Sequence, residues 1–407
     1  MNEQNSTNPI LKTNTNKNTN TNTKLTKSKK ISWETEELQL DELLLQGIYG
    51  YGFEYPSEIQ MRAIPSILTK KDVIAQSQSG TGKTGAFVVS ILQLLKKNTH
   101  ETQSIILLPT RELAKQCYLV TKSLSNFMDI HVKLCIGGTR VSDDYEDIKE
   151  HFPHVVIGCT GRVYDLIKRK YIKSDCIRNI VIDEADELLS GSFKDQIFDI
   201  FHCLPQDVQV ILFSATLPKN VIDASLKFMR DPIKLLKSSS ELTLEGISQY
   251  KVHLRDNRDK YCTLVDLFEN ITMSQCIIYC NSVNRVETLY QKLIDDDYPA
   301  IYMHGNMKQE KRIQHFNDFK NGVFKVLISS DITARGIDVQ QVSIVINFDV
   351  CKNTETYLHR IGRSGRWGRK GLTINFVTNS DKCNLRNIEN TYEIKIKDLP
   401  DDFMKHI

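Results

Sequence analysis

The chain has no run of 18 apolar residues, so no segment of it is expected to cross a membrane as a helix. No secretory apolar region opens it either. Its ten cysteines fall at irregular spacing, mostly inside apolar runs. The nearest approach to a metal pattern, Cys276 and Cys280 as C-x-x-x-C, is not a zinc spacing. All ten are therefore expected to be reduced thiols of an intracellular protein. Surplus positive charge is also missing from the body of the chain. The formal net charge is +3, but residues 1–30 hold six Lys against one Glu, which leaves the rest at −2. Any polyanion must then be held by local patches and backbone contacts rather than by a basic fold.

What remains is ordinary globular usage, 40% hydrophobic and 25% charged over 407 residues, which suits two domains. The exception is the beginning. Thr13 to Asn22 alternates Thr, Asn and Lys without apolar periodicity, so residues 1–30 are expected as a disordered tail with no surface to offset chain entropy. Its cluster Lys24, Lys27, Lys29 and Lys30 reads as a solvated arm, with a nuclear address or a weak phosphate-binding arm as the other readings.

The most informative segment is Ser77-Gln78-Ser79-Gly80-Thr81-Gly82-Lys83-Thr84. It follows the apolar run Val73–Ala75 and precedes a second one from Phe87 to Leu95. Strand, glycine loop and helix in that order are the setting in which G-x-x-x-x-G-K-[ST] becomes a phosphate cradle. Ser77 stands where the generic pattern has its first Gly. Gly80 and Gly82 let backbone N–H groups turn inward, and the following helix adds its positive end. Lys83 can reach the β/γ-phosphates, and the Thr84 hydroxyl suits Mg²⁺. A hundred residues on, the apolar run Asn179–Ile182 ends in Asp183-Glu184-Ala185-Asp186. An acid at that place holds Mg²⁺, here Asp183, and its neighbour Glu184 orients the attacking water. An acidic helix start favoured by the macrodipole is the bland reading of those four letters, and the upstream phosphate loop outweighs it.

Apolar strands alternate with amphipathic helices from residue 31 to 236, and again from 247 to 407, with polar residues 237–246 as linker. This is the pattern of two doubly wound parallel α/β sheets in tandem. The polar motifs fall directly after strands: Pro109-Thr110-Arg111-Glu112, Ser214-Ala215-Thr216, Ser330-Asp331 and Ala334 to Asp338. In open α/β sheets that rim is where ligands bind. His359-Arg360-Ile361-Gly362-Arg363-Ser364-Gly365-Arg366 is the densest cationic feature of the second half, and it suits an arginine finger completing a phosphate site from a neighbouring domain.

Together with Gly52-Phe53 and Pro56 to Gln60, with Gly137-Gly138, and with Gln309 and Arg312, these motifs resemble the DEAD-box RNA helicases, near the initiation factor 4A branch, over roughly residues 31–407. The resemblance implies RecA-like domains, RNA-stimulated ATP hydrolysis with Mg²⁺, and local unwinding of short RNA duplexes. It implies that Gln60 reads adenine, Phe53 stacks on it with Trp33 upstream, and Ser77, Gln78, Ser79, Gly80, Thr81, Gly82, Lys83 and Thr84 cradle the phosphates. Asp338 would contact the ribose, and Arg363 and Arg366 the γ-phosphate. Mg²⁺ would be held by Thr84 and Asp183, partly through water. Asp186, Ser214 and Thr216 would couple the acids to closure of the two halves. Arg111, Gly138, Thr160, Arg162, Arg312 and Ser330 would face the RNA backbone. The partners implied are RNA without sequence preference and a translation-initiation scaffold protein, for a monomer of the cytoplasm, with the nucleus as the other reading. An ATP-gated RNA clamp in a splicing or mRNA-decay complex uses the same motifs and stays open as the second reading; a DNA-directed motor of similar build fits the motifs less well. Two departures stand out. Cys159-Thr160-Gly161-Arg162 occupies the place of a usual Thr-Pro-Gly-Arg, and His304-Gly305-Asn306 that of His-Gly-Asp.

Overall fold

In the computed structural model of the chain, the described residues are 31–78, 80–97, 99–237, 246–270, 275–331, 342–364 and 371–400. The expected tail and most of the expected linker lie outside them. Two seven-stranded sheets, parallel throughout, organise the rest. The strands of the first are β1 (Val73–Gln76), β2 (Ser104–Leu107), β3 (Val132–Cys135), β4 (Val155–Gly158), β5 (Asn179–Ile182), β6 (Gln209–Ser214) and β7 (Ile233–Leu235). They lie side by side as β3-β4-β2-β5-β6-β1-β7. The second sheet contains β8 (Ile247–His253), β9 (Cys276–Tyr279), β10 (Ala300–Met303), β11 (Val326–Ser329), β12 (Ile344–Asn347), β13 (Gly371–Val377) and β14 (Lys397–Asp398), in the order β10-β11-β9-β12-β13-β8-β14.

The central strands are continuous apolar runs buried on both faces, as parallel strands covered by helices must be. Helices α1 (Glu42–Tyr51), α2 (Glu58–Leu68), α3 (Lys83–Leu94), α4 (Arg111–Leu124), α5 (Val141–His151), α6 (Thr160–Lys168), α7 (Ala185–Leu188), α8 (Lys194–Cys203) and α9 (Lys219–Ser225) belong to the first lobe. The second lobe has α10 (Asp259–Asn270), α11 (Val283–Asp295), α12 (Gln309–Lys320), α13 (Thr354–Ile361) and α14 (Lys382–Tyr392). Trp33, Phe87 and Phe213 anchor one face of the first sheet, and Val163, Leu166, Ile197 and Ile200 belong to the core on the other.

Local signals set the element ends that matter for the site. Asp41 caps α1, its carboxylate accepting from Leu43 N–H at 3.0 Å, and Gly52 ends the helix at φ 93°. Gly47 brings α1 directly onto α4: an added Cβ there would lie 1.9 Å from Leu124 O. The loop between α1 and α2 is thereby fixed beside the start of α3. The expected two-sheet α/β architecture is present, with four strands that apolar runs alone did not mark: β3, β7, β8 and β14.

Candidate active site

The loop after β1 is shaped by two glycines, Gly80 at φ 80° and Gly82 at φ 101°, a region that L side chains avoid. Ser77 Oγ lies 2.5 Å from Thr81 Oγ1, which donates to Gln78 O at 2.8 Å and closes the loop on itself. Gln60 reaches this loop from α2. Its amide accepts from Ser57 N–H at 2.7 Å and donates to Gly82 O at 3.1 Å. Neighbouring Phe53 is half-buried, stacked 6.3 Å from the fully buried Trp33 with Tyr51 at its edge.

Lys83 opens α3 and is only 6% exposed. Its Nζ makes no hydrogen bond and pairs with Glu184 Oε1 at 3.5 Å. A buried ammonium without hydrogen bonds is costly in a finished protein, so this one is built for a ligand. Asp183 follows β5 and is 3% exposed. Burial pushes its carboxyl up to about 7; Lys83 opposes the shift and Glu184 adds to it. Such a carboxylate gains from a cation beside it. With the Thr84 hydroxyl on the first turn of α3, the donor set fits Mg²⁺, which takes one or two protein oxygens together with phosphates. Glu184 is held at φ 51°, a strained position for a side-chain-bearing residue.

The two lobes meet at Asp186. Thr216 Oγ1 donates to its Oδ2 at 2.7 Å, and Asp186 N–H donates to Ser214 Oγ at 3.3 Å. His359, on α13 of the second lobe, lies with Nε2 2.7 Å from the same Oδ2, which sets Nε2 as the protonated nitrogen. Both side chains are almost wholly buried. Arg363 is held one turn on, its Nε donating to His359 O at 3.1 Å. Ser77 N–H donates to Ser214 O at 3.0 Å, so phosphate loop, acids, strand β6 and α13 form one connected set. Ser79, Asp338 and Arg366, also expected at the site, lie outside the described residues.

A second group of expected residues gathers on the rim beyond β2, β3 and β4. Arg111 lies under the turn after β3, where a Cβ on Gly137 or Gly138 would come 3.0 or 2.9 Å from its guanidinium. The next residue, Glu112, crosses to the second lobe: Arg312 Nη2 donates to its Oε2 at 2.8 Å and Gln309 Nε2 to Oε1 at 3.5 Å. Arg162 donates to Thr139 and Asp144. Thr160 is 1% exposed and spends its hydroxyl on Gln196 Oε1 at 2.9 Å. Cys159 caps α6 without a side-chain cap hydrogen bond, its thiol pushed up to about 12 by burial and by Glu112. Ser330 N–H donates to Met303 O at 3.2 Å beyond β11.

Among known proteins, residues 57–224 match the DEAD/DEAH box helicase family and residues 259–368 match the helicase conserved C-terminal domain. ATP-dependent RNA helicase FAL1 of Saccharomyces cerevisiae is 47% identical over 382 residues, 93% of this chain and 96% of the relative. The chain belongs to the DEAD-box ATP-dependent RNA helicases. This helicase is equally similar to ATP-dependent RNA helicase eIF4A of Schizosaccharomyces pombe, 48% identical over 365 residues, 90% of the chain and 93% of the relative. Among solved structures it resembles S. cerevisiae Dbp5 bound to RNA and ADP BeF3, with TM-score 0.85, 34% identity, and 92% and 97% of the two chains covered. Mss116p bound to ssRNA and AMP-PNP gives TM-score 0.82 and 25% identity over 93% of this chain and 82% of that one.

Sequence reasoning gave no individual role to Glu112, Asp144, His359 or Arg360. Arg360 is the surprise: fully buried, it donates to Asp331 at 2.6 Å, Asn281 at 2.8 Å, Asn347 at 3.2 Å and Asp349 O at 2.8 Å. It anchors α13, which carries His359 and runs into the turn that holds Arg363. Its place between those two residues, one helix face away from His359, was the available signal. Among the described residues no helix of the helicase is long and apolar enough to cross a membrane.

Proposed function

We propose that this helicase binds ATP in the first lobe, closes the second lobe over it, and bends the RNA backbone so that a short duplex separates locally. The observation that carries the proposal is the buried bond from His359 to Asp186, which makes the acidic motif of one lobe sense the position of the other. Lys83 and the loop amides bind the triphosphate, Glu184 orients water, and Arg363 with Arg366 meets the charge that develops on the transferred phosphoryl. Asp183 and Thr84 would hold Mg²⁺, partly through water, and the ion would supply neutralisation of phosphate charge. Gln60 and Phe53 recognise adenine, Asp338 the ribose, and Asp186, Ser214 and Thr216 transmit closure. Arg111, Gly138, Arg162, Arg312 and Ser330 face RNA phosphates, which gives indifference to sequence and sensitivity to salt; Thr160, expected with them, is buried with its hydroxyl on Gln196 and leaves that set. The domain boundaries that follow are 31–236 and 247–407 around a linker at 237–246.

Resemblance to an eIF4A favours translation initiation, with an initiation scaffold as partner of a cytoplasmic monomer. ATPase activity with and without RNA, run beside displacement of a short duplex, tests the proposal. Stimulation by RNA together with displacement supports it. Tight RNA binding with slow turnover and no displacement would make the protein an ATP-gated clamp instead.

A further inference from the structure

Helix α5 carries none of the groups assigned to ATP or RNA, yet it buries an acid at the RNA rim. Asp144 is 4% exposed. Its Oδ2 accepts from Arg162 Nη1, and its Oδ1 pairs with Lys133 Nζ at 3.3 Å. Lys133, on β3, is shared with Asp147 at 2.6 Å on the outer side of the same helix. Arg162 continues the chain of contacts: Nη1 donates to Thr139 Oγ1 at 2.9 Å and Nη2 to Thr139 O at 2.7 Å. Thr139 directly follows Gly137-Gly138, the turn packed over the Arg111 guanidinium.

One carboxylate therefore ends a line that runs Asp144, Arg162, Thr139, Gly138, Arg111. A carboxylate beside a phosphate-binding rim would repel its ligand if it faced out. Buried and shared between two cations, Asp144 instead fixes a guanidinium whose long side chain otherwise loses rotamer freedom on binding. Preformed donors bind a polyanion with less ordering cost than mobile ones.

We propose that Asp144 is a positioning residue for RNA: it holds Arg162 and, through Thr139, the glycine turn over Arg111, so that the first-lobe rim meets backbone phosphates as one preformed surface. This rests on the reading that Arg111, Gly138 and Arg162 face RNA. The test is the RNA concentration giving half-maximal ATPase stimulation, measured for Asp144→Asn, Asp144→Glu, Arg162→Ala and the double variant Asp144→Asn with Arg162→Ala. Asp144→Asn should raise it about tenfold, the scale of one charge-assisted hydrogen bond, with kcat at saturating RNA and ATP affinity without RNA within about twofold. Asp144→Glu should restore most of the affinity. The double variant should be no worse than Arg162→Ala alone.

An unchanged RNA requirement in Asp144→Asn, beside a raised one in Arg162→Ala, overturns the positioning role and leaves the RNA face standing. An unchanged requirement in Arg162→Ala overturns the reading of the face itself. A drop in thermal stability without a change in RNA requirement would reduce Asp144 to a structural acid and also overturns the proposal. Should Asp144→Asn fail to fold, Thr139→Val removes one of the two Arg162–Thr139 contacts and keeps the backbone one; it should raise the RNA requirement by less than Arg162→Ala does, and an unchanged requirement overturns the proposal.

Discussion

The two lobes are built to one plan, but among the described residues the buried lysine at the matching place is hydrogen-bonded in the second and not in the first. Strand for strand the sheet orders correspond, β1 with β8 and β5 with β12. Seven residues beyond the end of β1 stands Lys83, and seven beyond the end of β8 stands Lys260. Both are buried. Lys260 Nζ lies 3.0 Å from Asp349 and 3.3 Å from Asp381, over the Phe348 ring. Asp183 directly follows β5, and Asp349 stands two residues after β12. The loop before Lys260, Leu254 to Asp259, has no glycine, whereas Gly80 and Gly82 shape the loop before Lys83. In the second lobe the protein's own carboxylates satisfy the lysine; in the first the lysine has no hydrogen bond of its own. The difference teaches that the same buried lysine can be held by two hydrogen-bonded carboxylates or left with a single 3.5 Å ion pair and its donors unused, and the second arrangement is the one suited to a ligand.

Removing each lysine in turn breaks this comparison most sharply. Lys83→Ala should abolish ATP hydrolysis while lowering the melting temperature less than Lys260→Ala does, since its ion pair to Glu184 at 3.5 Å carries no hydrogen bond. Lys260→Ala should leave ATP affinity intact but destabilise the second lobe by about 1–3 kcal/mol, because Asp381 loses its cation and Asp349 keeps only Arg285, at 3.1 Å. ATPase assays and calorimetry on both variants check this; a Lys260 variant that is stable but inactive in ATP binding would contradict it.

Part of this was legible in the linear sequence and part was not. Ten strands announced themselves as apolar runs. β8 did not, because Ile247-Ser248-Gln249-Tyr250-Lys251-Val252-His253 mixes polar with apolar residues, with two polar ones adjacent, next to a nearly open sheet edge. β3 is only half-buried and carries Lys133, while β7 and β14 are too short for periodicity to mark. The ATP loop and the acidic motif were readable because each is contiguous. The couplings between lobes were not, since Arg312 and Glu112 are 200 residues apart and His359 and Asp186 are 173 apart. Asp144 was invisible for another reason: an acid in the first turn of a helix has an ordinary explanation in the macrodipole.

The contact between lobes through Glu112 and Arg312 is mostly buried, so a double-mutant cycle with Glu112→Gln and Arg312→Gln should show about 0.5–3 kcal/mol of coupling in RNA-stimulated kcat/KM. Additive losses would mean that the pair plays no part in closure. Smaller still is an acid sensitivity specific to the first lobe. His154 is held below its ordinary value by burial, with His131 and His100 adding to this and Asp129 and the Thr99 backbone opposing, and its Nδ1 accepts from His131 N–H at 3.2 Å. The native state favours the neutral ring, so stability is full above pH 6.5 and falls as pH drops below it, where the unfolded chain takes up the proton first. Thermal melts between pH 7 and 5 should show that slope, and His154→Asn should flatten it; an unaltered slope assigns the effect elsewhere. The least expected effect is at the cap of α6, where Cys159→Thr should supply the missing side-chain acceptor and add about 1 kcal/mol of stability. No gain in the melting temperature would show that the loop is already repacked around the thiol.

The central claim is that the ATP site belongs to the first lobe and is completed by the second. His359→Ala, assayed for ATP affinity without RNA and for kcat with saturating RNA, tests it most directly. Unchanged ATP affinity with a kcat lowered roughly 5- to 150-fold, the range of a coupling between sites, is the expected result. Loss of ATP affinity in the absence of RNA, or full RNA stimulation in the variant, would contradict it.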